Sequence, residues 1–158
     1  MNRDNLGGFV CRFTIVHVAT YVVFGIIFLN LMDYAGRFAS PEMSPFMRST
    51  DSPWVMAGPL FQFIRGPILA LALFPLRRLI TKDRWGWLKL WWVLWALTSI
   101  GSVAAGPGSL EGFIYTKLPW QHHLFGYPEV TLQMLAFAYL LGRWERRVQS
   151  ADDNPLAA

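Results

Sequence analysis

Long apolar runs, separated by short charged clusters, constrain the fold of this chain more than any other feature. The four runs cover residues 13–32, 54–76, 85–105 and 128–144. A helix of about 20 residues crosses the ~30 Å hydrocarbon core of a bilayer, and in lipid the backbone must satisfy its own hydrogen bonds. We therefore predict an all-α integral membrane protein. Its four transmembrane helices form one bundle within residues 1–148, and residues 149–158 form a disordered tail.

The distribution of lysine and arginine predicts the orientation of this bundle. Ten of these residues lie at the run ends on the side of the termini, whereas three, Arg37, Arg48 and Lys117, lie on the other side. Cytoplasmic loops of membrane proteins carry the excess of basic residues. Both termini are therefore predicted to be cytoplasmic, in a multi-pass protein of a bacterial-type cytoplasmic membrane.

The net charge of +4 does not indicate a nucleic-acid partner, because the basic residues sit at the ends of apolar runs and form no basic stripe with interleaved aromatics. The lipid bilayer is the expected partner, with a second membrane protein as an open alternative. The single cysteine, Cys11, excludes an internal disulfide and any paired-cysteine redox or zinc motif.

Arg65 is the residue that most directly indicates a site. It is the only charge in the run 54–76 and lies near its middle. An arginine at that depth costs about 2.5–3.5 kcal/mol on insertion scales, and such residues mark functional sites or ion pairs inside a bundle. Arg65 is therefore predicted to face the interior of the bundle.

Polar pairs at helical spacing predict the surroundings of Arg65. Two side chains three or four residues apart share a helix face, and helix rise places several such pairs at a similar depth. The predicted buried polar cluster consists of Arg65, Gln62, Glu129, Gln133, Ser102 and Glu111. Glu129 is the preferred ion-pair partner of Arg65, and Glu111 is the second choice. The cluster either fixes helix packing or binds a ligand or ion; the sequence leaves both open.

The loop 106–127 supplies candidates at the outer face. Its segment Leu110–Tyr115 is too apolar for a free loop and is predicted to lie on the membrane surface or to dip into the bundle. Tyr115, His122 and His123 are the outer-face candidates. Adjacent histidines point in different directions and no ligand spacing accompanies them, so no metal site is predicted.

No cofactor is predicted either. His17 lies near the opposite face from the histidine pair, which disfavours a bis-histidine haem, and it is expected to bond to Tyr21 four residues later. Ser109, a histidine and Glu111 have the side-chain types for nucleophilic catalysis, but no G-x-S-x-G elbow accompanies them. Catalytic residues therefore stay unassigned.

Three functions remain open. The small size and the lack of a reaction motif favour an accessory protein or subunit in the membrane. A small transporter or binding protein would use Arg65 to hold an anionic or lipid-like ligand. A membrane enzyme with an outer-face site comes third. The lone cysteine excludes a likeness to the disulfide-forming quinone reductases, and the lack of an acid in the first run excludes one to small multidrug exporters.

Overall fold

The computed structural model describes residues 5–153, without the side chains of Leu79 and of residues 151–153. All regular structure in this range is helical. The helices are α1 Leu6–Leu31, α2 Tyr34–Phe38, α3 Pro53–Met56, α4 Gly58–Leu73, α5 Arg77–Thr81, α6 Gly86–Trp95, α7 Leu110–Tyr115, α8 Trp120–Leu124 and α9 Tyr127–Asp153. A 3₁₀ turn, Phe74–Leu76, joins α4 to α5, and a π-helical turn, Ala96–Ile100, continues α6.

Three helical segments of the described chain are long and apolar enough to cross a membrane: Leu6–Leu31, Gly58–Leu76 and Trp120–Ser150. Many large apolar side chains on them are exposed, such as Ile26, Ile64 and Leu140. Such a surface is costly in water but suits hydrocarbon. The prediction of an all-helical fold is confirmed for the described residues, with three helices that are long and apolar enough to span a membrane; the predicted count of four is not confirmed.

The third predicted span is wrong as a continuous helix over 85–105. α6 and its π-helical turn end at Ile100, and the backbone from Gly101 to Ser109 is irregular. The Gly101 amide donates to the Ala96 carbonyl, five residues back, which widens the last turn. The Ser102 hydroxyl then accepts from the Ala104 amide at 3.4 Å. Glycine and a serine that bonds to nearby backbone both favour the end of a helix.

The first and last helices of the chain, α1 and α9, are longer than the apolar runs predict. α1 begins at Leu6, where the Asn5 side chain accepts a hydrogen bond from the Gly8 amide and caps the first turn. α9 continues through Gln149 to Asp153. Residues 149–153, predicted as part of a disordered tail, are therefore helical, and the rest of that prediction falls on residues 154–158, outside the described range.

The long helices pack antiparallel in the spatial order α4, α1, α9, α6. α1 and α4 approach closely at Gly66, where an added Cβ would lie 3.0 Å from Thr14 Cγ2. α6 and α9 approach at Gly142, where an added Cβ would lie 2.8 Å from the Trp87 Cβ. Small residues allow such approaches between membrane helices. α4 and α6 make no extensive contact with each other, so the four helices form an open arc.

One end of the arc is closed and contains the hydrophobic core. α5 packs there against α6 and α9. The core side chains include Phe9, Phe13, Ile80 and Leu141, all almost fully buried. Because the early part of α1 and the late part of α9 both lie at this closed end, the two ends of the described chain are on the same side of the protein.

Candidate functional site

The concave side of the arc holds a cavity of about 340 Å³. Side chains from α1, α4, α6, the π-helical turn and α9 all contribute to it. Its apolar lining comes from Phe13, Leu69, Leu73, Leu94, Val130, Met134 and Phe137. Its polar lining comes from His17, Thr20, Tyr21, Arg65, Thr98, Glu129 and Gln133. A cavity of this size with mostly apolar walls and a few convergent polar groups has the ordinary character of a small-molecule site.

Arg65 is the only cation among the residues that line this cavity. Within the described range it forms no ion pair or hydrogen bond, and its side chain is exposed. The adjacent Gly66 fixes its position, since Gly66 packs against Thr14 on α1. Pro67 follows inside the helix, where a proline removes a backbone hydrogen bond and favours a kink. The guanidinium is thus available to a ligand at a rigid helix contact.

The predicted Arg65–Glu129 ion pair is absent: both residues line the cavity, but no nitrogen of Arg65 lies within 4.0 Å of a Glu129 oxygen. Glu129 instead accepts a hydrogen bond from the Tyr34 hydroxyl. Tyr34 belongs to α2, which follows α1, so counting depth along α4 and α9 could not find this partner. Burial and the bond to Glu129 raise the pKa of the Tyr34 phenol, which keeps it a donor at neutral pH.

Gln62, another member of the predicted cluster, does not line the cavity. It is buried between α1 and α4, where its amide nitrogen donates to the Gly58 carbonyl at 3.1 Å. Its side-chain oxygen lies 3.0 Å from His17 Nε2. The expected His17–Tyr21 bond is therefore replaced by a His17–Gln62 bond between helices. The packing of α1 against α4 thus brings together two residues that counting helix rise along each apolar run places at different depths.

The remaining predicted cluster residues divide between the cavity and the loops. Gln133 lines the cavity together with Glu129, as their spacing on one helix face predicts. Thr98 also lines it, from the π-helical turn, and π-turns are frequent at functional sites. Ser102 and Glu111 do not line it, because the helix ends before Ser102 and Glu111 lies in the first turn of the separate helix α7.

The outer-face candidates do not form a catalytic constellation. The Ser109 hydroxyl caps α7 by accepting from the Gly112 amide at 2.8 Å, and it donates to the Ala104 carbonyl at 2.7 Å. His123 is buried, with its ring edge-on to Phe113, whereas His122 is partly exposed. Among the described side chains, no three His, Cys, Asp or Glu lie close enough together to bind a metal.

The segment Leu110–Tyr115 forms the short helix α7 but does not dip into the bundle. Leu110, Phe113, Ile114 and Tyr115 are all more than half exposed, and Gly112 is its buried residue. Exposed apolar side chains on a short helix at the end of the arc fit the other predicted position, on the membrane surface.

A buried ion triad at the closed end is the main feature that the sequence analysis missed. Glu145 is fully buried, and its two carboxylate oxygens accept from Arg12 Nε at 2.5 Å and Arg77 Nε at 2.6 Å. Arg12 lies on α1 and Arg77 is the first residue of α5, so the two guanidinium groups reach the α9 carboxylate from different helices.

Periodicity could have found this triad. On α1 the buried residues Phe9, Arg12, Phe13 and Val16 form one stripe at helical spacing. On α9 Glu145 continues the buried stripe of Ala138 and Leu141. Arg12 and Arg77 also lie at the ends of apolar runs, so hydropathy alone does not indicate that they belong to a buried surface.

No protein-family model, curated protein or solved structure matches this chain.

Proposed function

We propose that this chain is a small integral membrane protein that binds, or carries across the membrane, an amphiphile with one anionic group. The observation that carries the proposal is Arg65, an unpaired and exposed guanidinium among the described residues, at the edge of a mostly apolar cavity. A guanidinium binds carboxylate or phosphate oxygens in a two-pronged geometry. Leu69, Leu73 and Phe137 would contact the apolar part of the ligand.

The open side of the arc supports entry of such a ligand from the bilayer. α4 and α6 make no extensive contact, and Arg65 on α4 and Thr98 after α6 both line the cavity. If α6 crosses the membrane as the fourth helix, this gap faces lipid. An amphiphile could then pass between the helices without leaving the hydrocarbon. We propose both the four membrane crossings and the lateral entry of the ligand.

Binding of a ten-carbon alkyl phosphate tests this function. The purified chain in nanodiscs of zwitterionic lipid should bind decyl phosphate more tightly than decanol, which has the same tail without the charge. A hydrogen bond to a charged group contributes about 1.5–3 kcal/mol, so Arg65→Gln should weaken decyl phosphate binding by roughly 10- to 150-fold. Decanol binding should change little.

Arg48→Gln is the matched control, because it removes an exposed arginine that does not line the cavity. Equal affinities for decyl phosphate in the wild-type and Arg65→Gln proteins would refute the proposal. Uptake of the alkyl phosphate by liposomes that contain this chain alone would distinguish a transporter from a binding protein.

The accessory-subunit function is the second candidate, and the short third helix favours it. α6 and its π-helical turn rise roughly 22 Å, which is less than the ~30 Å of hydrocarbon. The irregular backbone that follows contains Val103, which is 91% exposed. Irregular backbone at lipid depth must be covered by protein, so a partner helix at Val103 would satisfy it. A photo-crosslinker is placed at Val103 and, for comparison, at Arg48. If the one at Val103 captures no protein in native membranes, like the one at Arg48, the result would count against a partner at Val103.

The cytoplasmic location of both termini is part of the same proposal. The excess of Lys and Arg on that side supports this location. The excess remains when Arg12 and Arg77, which belong to the buried triad, are left out of the count. With Cys11 replaced by serine, a single cysteine at Ser44 should react with a membrane-impermeant thiol reagent on intact cells, and one at Lys82 should not. Labelling of the cysteine at position 82 and not of the one at position 44 would indicate the opposite orientation.

A further inference from the structure

A second groove lies on the surface of the α1–α9 pair and shares no lining residue with the cavity at Arg65. It has a volume of about 400 Å³. Its lining includes Ile15, Ala19, Leu140, Arg143, Trp144 and Arg147. The groove therefore combines an apolar stretch with two arginines and a tryptophan.

Helix geometry arranges these residues in order along the groove. Leu140, Arg143, Trp144 and Arg147 share one face of α9, since they are spaced by three, four and seven residues. Ile15 and Ala19 are one turn apart on α1. Because α1 and α9 are antiparallel and Arg12 meets Glu145, the two arginines lie toward the closed end of the arc. The apolar part leads away from that end into the bilayer.

Among the described side chains, none neutralises the charge of the groove. In the described part of the chain, Arg143 bonds only to the Tyr139 hydroxyl, at 3.2 Å, and Arg147 makes no ion pair. Glu145 lies between them in sequence, but its carboxylate holds Arg12 and Arg77 on the buried face. Two exposed positive charges one helical turn apart therefore face the same groove.

We propose that this groove binds one anionic diacyl phospholipid of the bilayer leaflet at the closed end. The phosphate lies between Arg143 and Arg147, and one acyl chain lies along Ile15, Ala19 and Leu140. Arginine pairs bind phosphate oxygens strongly, and basic pockets between membrane helices hold anionic head groups. Trp144 would lie at the level of the head groups, where tryptophan is enriched. A zwitterionic head group would place its ammonium beside the second arginine, so the site should prefer a net negative lipid.

Native mass spectrometry of the full chain in a neutral detergent tests the proposal. Phosphatidylglycerol and phosphatidylcholine with identical acyl chains are titrated separately. The wild-type protein should retain one phosphatidylglycerol at concentrations where phosphatidylcholine is lost. Each arginine near an anionic lipid surface contributes about fivefold in affinity, so the double variant Arg143→Gln, Arg147→Gln should bind phosphatidylglycerol roughly 30-fold more weakly.

The control variant Arg78→Gln, Arg84→Gln removes two exposed arginines from the same end of the protein, neither of which lines the groove. It should bind phosphatidylglycerol like the wild type. If both double variants lose affinity equally, the effect is one of net charge and the assigned site is refuted. Equal retention of the two lipids by the wild type would also overturn the proposal.

Ala19→Phe tests the placement of the acyl chain without changing the charge. Ala19 is exposed and lines the groove, so a phenylalanine there should fill the apolar part while leaving the helix contacts intact. Phosphatidylglycerol binding should weaken several-fold at an unchanged melting temperature. Unchanged lipid affinity in this variant would refute the acyl-chain placement.

Discussion

Removal of the Glu145 charge should destabilise the protein more than any other single charge-removing substitution in the described chain. Glu145 is fully buried and pairs with Arg12 and Arg77, which are 8% and 6% exposed. Glu145→Gln keeps the shape of the side chain but leaves two buried guanidinium groups without their shared carboxylate. Breaking one buried pair typically costs about 3–5 kcal/mol, which is a large part of the ~5–15 kcal/mol stability of a folded domain.

Thermal unfolding in detergent measures this effect. For a chain of this length, a loss of 3–5 kcal/mol corresponds to a drop in melting temperature of roughly 6–20 °C. A substitution of Arg12 by methionine in the Glu145→Gln background should recover part of the loss, because one buried charge that has lost the Glu145 carboxylate is then removed. A double-mutant cycle between the two positions isolates their coupling.

The surface pair Asp83–Lys89 provides the matched control. Its Lys89 Nζ and Asp83 Oδ2 are 2.5 Å apart, the same distance as in the Arg12–Glu145 contact, but both side chains are well exposed. Lys89 lowers the pKa of the Asp83 carboxyl through their hydrogen bond. Exposed pairs contribute little to stability, so Asp83→Asn should leave the melting temperature nearly unchanged. If Glu145→Gln shifts it no more than Asp83→Asn does, burial of the triad does not contribute as argued.

Three further outcomes are expected. Gly142→Ala should lower the melting temperature, since the new Cβ would lie 2.8 Å from a Trp87 atom. Gly25→Ala, with open space around it, should raise stability by up to ~1 kcal/mol through helix propensity. A Gly142→Ala protein more stable than the Gly25→Ala protein would refute the close helix contact. Tyr34→Phe should cost roughly 1–3 kcal/mol by leaving Glu129 without its hydrogen-bond donor, and Glu129→Gln should reduce that cost. Arg65→Gln and Glu129→Gln should have additive effects on unfolding, because the two side chains form no ion pair; a coupling above about 1 kcal/mol would contradict this.

The sequence predicted several residues that line the cavity, but not the hydrogen bonds around it. Arg65, Glu129 and Gln133 do line one site, because a lone charge in an apolar run and helical spacing both require an interior position. Their partners were not predictable in the same way. Tyr34 reaches Glu129 from a separate helix, and His17 reaches Gln62 through the close α1–α4 contact at Gly66. Such contacts depend on tilt and on the spatial order of helices.

The sequence by itself predicted a helical chain with apolar segments long enough to cross a membrane, because lipid accepts only long apolar segments whose backbone bonds are internal. It predicted four such helices, and the described chain has three that are long and apolar enough. It also indicated Arg65 as a charge inside an apolar run. Only the tertiary structure decided which charges are paired: Glu145 pairs with Arg12 and Arg77, whereas Arg65 makes no ion pair at the cavity within the described chain. The physical reason is that hydrophobicity and helix rise are local properties, whereas an ion pair between helices depends on which faces meet, and small residues such as Gly66 and Gly142 set those faces.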